Sequence, residues 1–327
     1  MRWPCRREGC TFGDSGVCGR AAEFTDPETE CDDYLASQPP DAIAPPAQLA
    51  TFPSWSGNAL GPDFAGRMDL ANPPLRVLVA GQPLSGKTSL VTAQFLDLDR
   101  TPSTSLPAQF AGSYTLYGYD RLCDAAFRWK EGAGADMPHT GRGAERDPAW
   151  LHLAFKFPES HKVRHLLLSD MPGELFNDWC GDKDGLDPSL IVPINVFWVV
   201  VDASRAKEKL QRSAARDLLG RVGEVAGSRR VEVILTKSDQ VVRMSKSTKP
   251  ESVLDAVADL VGQLRHAWTG TVPLQFTPLA SYDGTNKKAG WRTLEPIRHL
   301  LEPTPKAPLH RSEPVSDRYV DFMGMGR

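Results

Sequence analysis

The sequence predicts an α/β protein with a doubly wound, mostly parallel six-stranded sheet, preceded by a small cysteine-rich segment. Two observations carry this prediction. From residue 75 onward, apolar runs of strand length alternate with helical segments, which is typical of parallel strands joined by crossover helices. The first apolar run leads directly into a glycine-containing loop that opens a helix. The expected architecture is therefore one sheet covered by helices on both faces.

The apolar runs place the individual elements. Most of them lack strict alternation of apolar and polar residues, as expected for strands that are buried on both faces. Strands are expected at residues 76–80, 151–157, 163–169, 195–202, 230–235 and 272–276, and helices at 87–96, shortly after 174, and at 206–225, 253–268 and 291–301.

Composition limits the classes of partner. The chain has 327 residues, of which 41% are hydrophobic and 24% charged, as in ordinary globular proteins. Its 38 basic and 41 acidic residues give a net charge of −3, so no general attraction to nucleic acid or anionic membranes is expected. The sequence also shows no signal peptide and no membrane-spanning run. A cytoplasmic protein is expected, with no nucleic-acid partner and no membrane span.

Changes in composition divide the chain into four parts. Residues 1–34 are rich in cysteine, and residues 35–74 form a proline-rich linker, expected to be extended and partly docked on the following domain. Residues 75–302 form the α/β domain, which contains an insertion at 98–149. Residues 303–327 are predicted to be a flexible tail.

Four of the six cysteines lie in the first part, at Cys5, Cys10, Cys18 and Cys31. Four thiolates can close a tetrahedral Zn²⁺ site in a segment too short to have its own apolar core. The spacing lacks the short C-x2-C pairs of common zinc ribbons, so ordinary cysteines in a flexible tail remain the alternative.

The loop after the first strand reads Gly81, Gln82, Pro83, Leu84, Ser85, Gly86, Lys87, Thr88, Ser89. It fits the phosphate-loop pattern G-x-x-x-x-G-K-[ST] at a strand-to-helix junction. Backbone N–H groups of such a loop surround the β-phosphate, Lys87 reaches the β- and γ-phosphates, and the Thr88 hydroxyl binds Mg²⁺.

A second motif, LLLSDMPGE at residues 166–174, ends an apolar strand in Asp170. Asp170 is expected to hold Mg²⁺ through a water molecule. Gly173 can offer its backbone N–H to the γ-phosphate, which would make the following segment sensitive to that phosphate.

A third motif, VILTKSD at residues 233–239, also ends an apolar strand. The Asp239 carboxylate can accept two hydrogen bonds from guanine, whereas adenine offers no such pair. The stem of Lys237 is expected to pack along the base, and Thr236 to brace the loop. The motif predicts selectivity for GTP over ATP.

In this order, the three motifs resemble the Ras-like P-loop GTPases of the translation-factor (TRAFAC) class. The resemblance covers residues 75 to about 302 and implies GTP or GDP with Mg²⁺ as ligands. It also implies a threonine in switch I that binds Mg²⁺, for which Thr140 is the best match, although Thr101, Thr104 and Thr115 compete. Ala280 and Ser281 loosely match the loop of this class that contacts the base.

A narrower resemblance is to the bacterial double-GTPase family of predicted conflict and signalling systems. It depends on the run FAGSYTL at residues 110–116, the element around Thr140, and the DMPGE motif with Trp179 nearby. This resemblance implies protein partners encoded by neighbouring genes.

Glu174 departs from the pattern of small GTPases, which have a glutamine there to orient the attacking water. Three interpretations are open: Glu174 points away from the γ-phosphate, acts through a water molecule, or marks slow hydrolysis that needs an external residue. The functional alternatives are accordingly a GTP-hydrolysing switch with Lys87, Thr140, Gly173 and Glu174 in catalytic positions, a guanine-nucleotide-binding module that does not hydrolyse, and another P-loop NTPase or kinase.

Overall fold

Two units make up the chain in the computed structural model, Met1–Phe52 and Pro53–Arg327. The structure describes residues 10–11, 18, 31–35, 59–100, 105–130, 134–135, 149–169, 171–181, 186–247, 250–281 and 290–302. In the first unit, helix α1 (Asp32–Leu35) carries Tyr34, which is buried with Cys18 and Cys31 in a small cluster; Cys10 packs against it.

The strands of the second unit are numbered in chain order. They are β1 (Leu75–Gly81), β2 (Gln109–Gly112), β3 (Trp129–Lys130), β4 (Gly134–Ala135), β5 (Trp150–Lys156), β6 (Val163–Ser169), β7 (Val196–Asp202), β8 (Arg230–Thr236) and β9 (Gln275–Pro278). β3 and β4 pair only with each other.

The helices of this unit are α2 (Pro62–Ala71), α3 (Lys87–Arg100), α4 (Leu116–Phe127), α5 (Gly173–Gly181), α6 (Pro188–Ile191), α7 (Lys209–Ala226), α8 (Ser238–Ser247), α9 (Pro250–Ala267) and α10 (Glu295–Leu301). A short 3₁₀ turn at Ala203–Arg205 precedes α7. Among the described residues, no helix combines the length and the apolar character needed to cross a bilayer.

Seven strands form the main sheet in the order β2-β5-β6-β1-β7-β8-β9. From β6 to β9 all neighbours are parallel, whereas β5 runs antiparallel to both β2 and β6. The predicted α/β class is therefore confirmed, and the sheet has one strand more than the six expected. The additional strand, β2, is a four-residue strand at the edge, inside the insertion, and is too short to stand out in the sequence.

Side chains of β1 alternate between two cores. Val77 and Val79 belong to a cluster that includes residues of α3 and α10, while Leu78 and Ala80 belong to a cluster that includes residues of α5, α7 and α9. This is the arrangement of a doubly wound sheet, in which both faces of a buried strand must be apolar. As a result, the carboxyl ends of the parallel strands lie side by side at one end of the sheet.

Among the differences from the sequence prediction, three have identifiable reasons. The last strand starts at Gln275 rather than 272, because the Trp268 indole N–H donates to the carbonyl of Val272 (2.8 Å) and closes a turn there. Trp291 does not begin the last helix, since it pairs with Ala280. Within 35–74, residues 62–71 form a helix instead of extended chain, because Pro62 stands in the first turn, where a missing N–H removes no helical bond.

Candidate functional site

The predicted phosphate loop joins β1 to α3. Gly81 is the last residue of β1, and Lys87, Thr88 and Ser89 form the first turn of α3. A Cβ on Gly81 would lie 2.6 Å from the Ser85 Oγ and 2.7 Å from the Val200 carbonyl, so no side chain fits there. Leu84 and Gly86 have φ angles of 63° and 95°. The loop is therefore tightly curled at the N-terminus of a helix, an arrangement suited to bind anions.

Lys87 lies across this loop. Its ammonium donates hydrogen bonds to the carbonyls of Gly81 (2.8 Å) and Gln82 (3.1 Å), and it lies 5.8 Å from the centre of the Phe176 ring. Because Phe176 belongs to α5, the lysine connects the phosphate loop with the helix that follows the D-x-x-G motif.

Gly173 of that motif is in direct contact with the phosphate loop. A Cβ added to Gly173 would be 2.4 Å from the backbone nitrogen of Pro83, so glycine is the residue that permits this approach. Glu174 follows in the first turn of α5 and is half-buried. Two further predicted site residues, Asp170 and Thr140, lie outside the described residues.

The T-K-x-D segment reaches the same loop from β8. The Thr236 hydroxyl donates to the carbonyl of Ser85 (2.6 Å), and the Lys237 ammonium donates to the carbonyl of Leu84 (3.1 Å). Thr236 is buried and ends β8, while Lys237 adopts a φ of 55°, in the left-handed region. The predicted phosphate-binding and guanine-binding segments are thus joined by two hydrogen bonds.

Asp202 belongs to this arrangement, although the sequence analysis did not single it out. Its carboxylate accepts hydrogen bonds from the Lys237 ammonium (2.6 Å) and from the backbone N–H (3.0 Å) and hydroxyl (2.6 Å) of Ser204. Only 6% of its side chain is exposed. The signal that could have identified it is its place at the end of the apolar run VFWVVVD, where it lies opposite Thr236 in the sheet.

Asp239 is the second residue of α8, and its side chain is 20% exposed. Its carboxylate lies 3.5 Å from the exposed guanidinium of Arg243, one turn along the helix. The backbone N–H of Ser238 donates to the carbonyl of Leu279 (3.1 Å), which connects the segment of Asp239 to that of Ala280 and Ser281. Ala280 is held in turn by two backbone hydrogen bonds with Trp291 (3.0 and 2.8 Å).

Thr115 is the one threonine competing for the switch I role that the structure describes; Thr101 and Thr104 lie outside the described residues. It is fully buried, and its hydroxyl accepts the backbone N–H of His152 (2.9 Å). Burial and the neighbouring His165 lower the pKa of His152 to about 3, so its imidazole is neutral at physiological pH, and the ring Nδ1 accepts the backbone N–H of Tyr114 (2.9 Å). Thr115 therefore braces β5, and its hydroxyl is occupied within the fold.

Three of the four clustered cysteines are described. Cys10, Cys18 and Cys31 share one apolar cluster, and none of the described cysteines forms a disulfide; Cys5 lies outside the described residues. In the part of the chain that the structure describes, no group of three or more His, Cys, Asp or Glu side chains has a metal-holding arrangement.

Comparison with protein families gives a match between residues 76–292 and the model of the Double-GTPase 2 family. A comparison with curated proteins finds no match.

Similar solved structures are Sup35 complexed with GMPPNP (14% identity, TM-score 0.32), the GTPase-like domain of Saccharomyces cerevisiae Ski7 bound to GTP (15%, 0.37) and a mutation variant of SsGBP (15%, 0.31). The matches cover 64%, 64% and 72% of this chain. The chain spans only 38%, 43% and 58% of those chains.

Proposed function

The chain belongs to the Double-GTPase 2 family, and on that premise we propose that it binds GTP and GDP with Mg²⁺, hydrolyses GTP slowly, and acts as a nucleotide-dependent switch for partner proteins. The nucleotide would lie along the carboxyl ends of the strands, with its phosphates at Gly81–Ser89 and its base between Lys237, Asp239 and the Ala280–Ser281 loop. The partners are expected to be proteins encoded by neighbouring genes.

One observation carries the proposal: Thr236 and Lys237 donate to the carbonyls of Ser85 and Leu84 within the phosphate loop. A loop that selects a base is useful only at a fixed distance from the loop that holds the phosphates. These two bonds fix that distance.

The Mg²⁺ ion would be held by the Thr88 hydroxyl and, through water, by Asp170. Mg²⁺ prefers hard oxygen donors and keeps several of its waters, so a hydroxyl at the start of α3 and a strand-ending carboxylate are a suitable donor set. The space that a Cβ on Gly173 would need is taken by the backbone of Pro83, which leaves the Gly173 N–H beside the loop as a donor for the γ-phosphate.

A titration with fluorescent guanine and adenine nucleotides tests binding, and phosphate release tests hydrolysis. Selective binding of guanine nucleotides with slow release supports the proposal. Binding without release would make the protein the non-hydrolysing module. That outcome is favoured by Glu174, a half-buried residue that stands in place of a water-orienting glutamine. Equal binding of adenine nucleotides would contradict the guanine assignment.

We expect Asp202 to position Lys237. Asp202→Asn should lower the affinity for GTP and GDP by a similar factor, about tenfold, because the amide keeps an oxygen acceptor for Ser204 but no longer offers a charge to Lys237. In a Lys237→Ala background the same change should have no further effect. Asp187→Asn is the matched control, since Asp187 also accepts from the N–H of a serine two residues on (Ser189, 2.8 Å), at the start of α6. Additive losses in the double variant would contradict the assigned role.

We also propose that Cys5, Cys10, Cys18 and Cys31 bind one Zn²⁺ ion. The cluster of Cys18 and Cys31, with Cys10 packed against it, supports this, because thiolates that bind one metal ion must lie close together; in the described part of the chain these three thiols are not arranged to hold an ion. Metal analysis of the purified full chain should find about one zinc per chain, lost on deleting residues 1–34, with GTP affinity retained. Protein from zinc-replete medium that contains no zinc would show that these cysteines are not ligands.

A further inference from the structure

The outer edge of β5 is occupied in succession by β2, by the residues that directly follow β2, and by residue 60. β2 pairs with Ala154, Phe155 and Lys156. Next along the edge, His152 is bonded through its backbone to the side chains of Ser113 and Thr115. The edge is completed by residue 60, which comes from the chain before β1.

Leu60 forms two backbone hydrogen bonds with Trp150, of 2.8 and 2.9 Å. Its side chain is 1% exposed and belongs to the same core cluster as Trp150 and, from the D-x-x-G segment, Met171. A peripheral segment is seldom fixed by both its backbone and a fully buried side chain unless its position matters to the fold.

Helix α2 fastens this segment at its other end. Met68 is fully buried in the same cluster, and the Asp69 carboxylate accepts from the Arg76 guanidinium at the start of β1 (2.7 Å). The Asn72 side-chain amide donates to the carbonyl of Val163, the first residue of β6 (3.2 Å). We call residues 59–72 the latch.

The latch contacts the sheet at residues that border both predicted switches in the sequence. Trp150 is the first residue of β5, and β5 follows the stretch that contains Thr140. Trp150 lies opposite Ser169, the residue before Asp170, and the Ser169 hydroxyl accepts the backbone N–H of Val79 in β1 (2.8 Å). Leu60, Trp150, Ser169 and Val79 thus form one row across the sheet, which leads towards the phosphate loop.

We propose that the latch is a regulatory element that favours the GTP-bound state and is stabilised by it in return. This inference rests on the proposed function. Of the groups of the nucleotide, only the γ-phosphate would contact both switches. It binds more tightly when the strand ends next to the switches are already held in place. Because such coupling is reciprocal, GTP must tighten the contact of Leu60 with Trp150. A change between bound GDP and bound GTP would in this way be transmitted to the chain before residue 59.

The test compares Leu60→Ala and Met68→Ala with Leu301→Ala in the full-length protein. Leu301 is also 1% exposed, but it belongs to the cluster on the other face of the sheet, so it controls for loss of core packing. The two latch variants are expected to lower the ratio of GMPPNP to GDP affinity by about fivefold or more, the lower bound of typical allosteric coupling, while Leu301→Ala leaves it unchanged. Equal ratios of GMPPNP to GDP affinity in all three variants would contradict the proposed role of the latch.

Amide hydrogen exchange of the unmodified protein provides a readout that does not depend on the variants folding. The N–H groups of Leu60 and Trp150 should exchange at least about fivefold more slowly with Mg²⁺ and GMPPNP than with Mg²⁺ and GDP. Equal rates in a protein that binds both nucleotides would overturn the latch alone. If the protein binds neither nucleotide, the proposed function fails, and the latch fails with it.

Discussion

Asp239→Asn is expected to lower the affinity for GTP by about 100-fold or more and to raise the affinity for xanthosine triphosphate. In the proposed site, the carboxylate would accept two hydrogen bonds from the N1–H and the exocyclic amine of guanine, whereas an amide could accept only one of them and would place a donor against the amine. Xanthine has a carbonyl oxygen in place of that amine, so it accepts the new donor. Competition of both triphosphates against fluorescent GDP measures the change.

The structure provides a matched control for this substitution. Asp259 on α9 also pairs with an arginine, Arg212 at 2.8 Å, and its side chain is 56% exposed. Asp259→Asn removes the same charge from the surface without touching the proposed base site, so both affinities should stay unchanged. An Asp239→Asn variant with undiminished GTP affinity would show that the base does not lie at α8.

The sequence predicts the parts of this fold that depend on buried strands, because an uninterrupted apolar run such as that of β7 has few other structural explanations. The sequence also places the phosphate loop and the T-K-x-D segment at strand ends, because each motif directly follows an apolar run of strand length. How those two segments connect was not predictable. The bonds from Thr236 to Ser85 and from Lys237 to Leu84 join residues far apart in sequence.

The sequence does not predict short elements whose conformation depends on the residues that they pair with or pack against. Strand β2 has only four residues, and its strand character comes from pairing with β5. Helix α2 lies within a proline-rich stretch that is expected to be extended, yet its buried Met68 and its ion pair to Arg76 keep it against the sheet. Tertiary contacts override local propensity in both cases.

Lys87→Ala should reduce the affinity for GTP with Mg²⁺ by about 100-fold or more. The ammonium is expected to reach the β- and γ-phosphates, and each charge-assisted hydrogen bond contributes about 1.5–3 kcal/mol. The fold should survive, because the ammonium is bonded to carbonyls of the loop and lies against the Phe176 ring rather than bracing the sheet.

Thr88→Ala should instead weaken the dependence of binding on Mg²⁺.

Thermal unfolding with and without nucleotide separates a role in binding from a role in the fold. Nucleotide should raise the melting temperature of the unmodified protein and of Lys162→Ala, a matched lysine in the exposed turn between β5 and β6, but not that of Lys87→Ala. Without nucleotide, all three proteins should melt at similar temperatures. If Lys87→Ala is already unfolded without nucleotide, the hydrogen bonds from Lys87 to Gly81 and Gln82 hold the loop itself, and the lysine is structural.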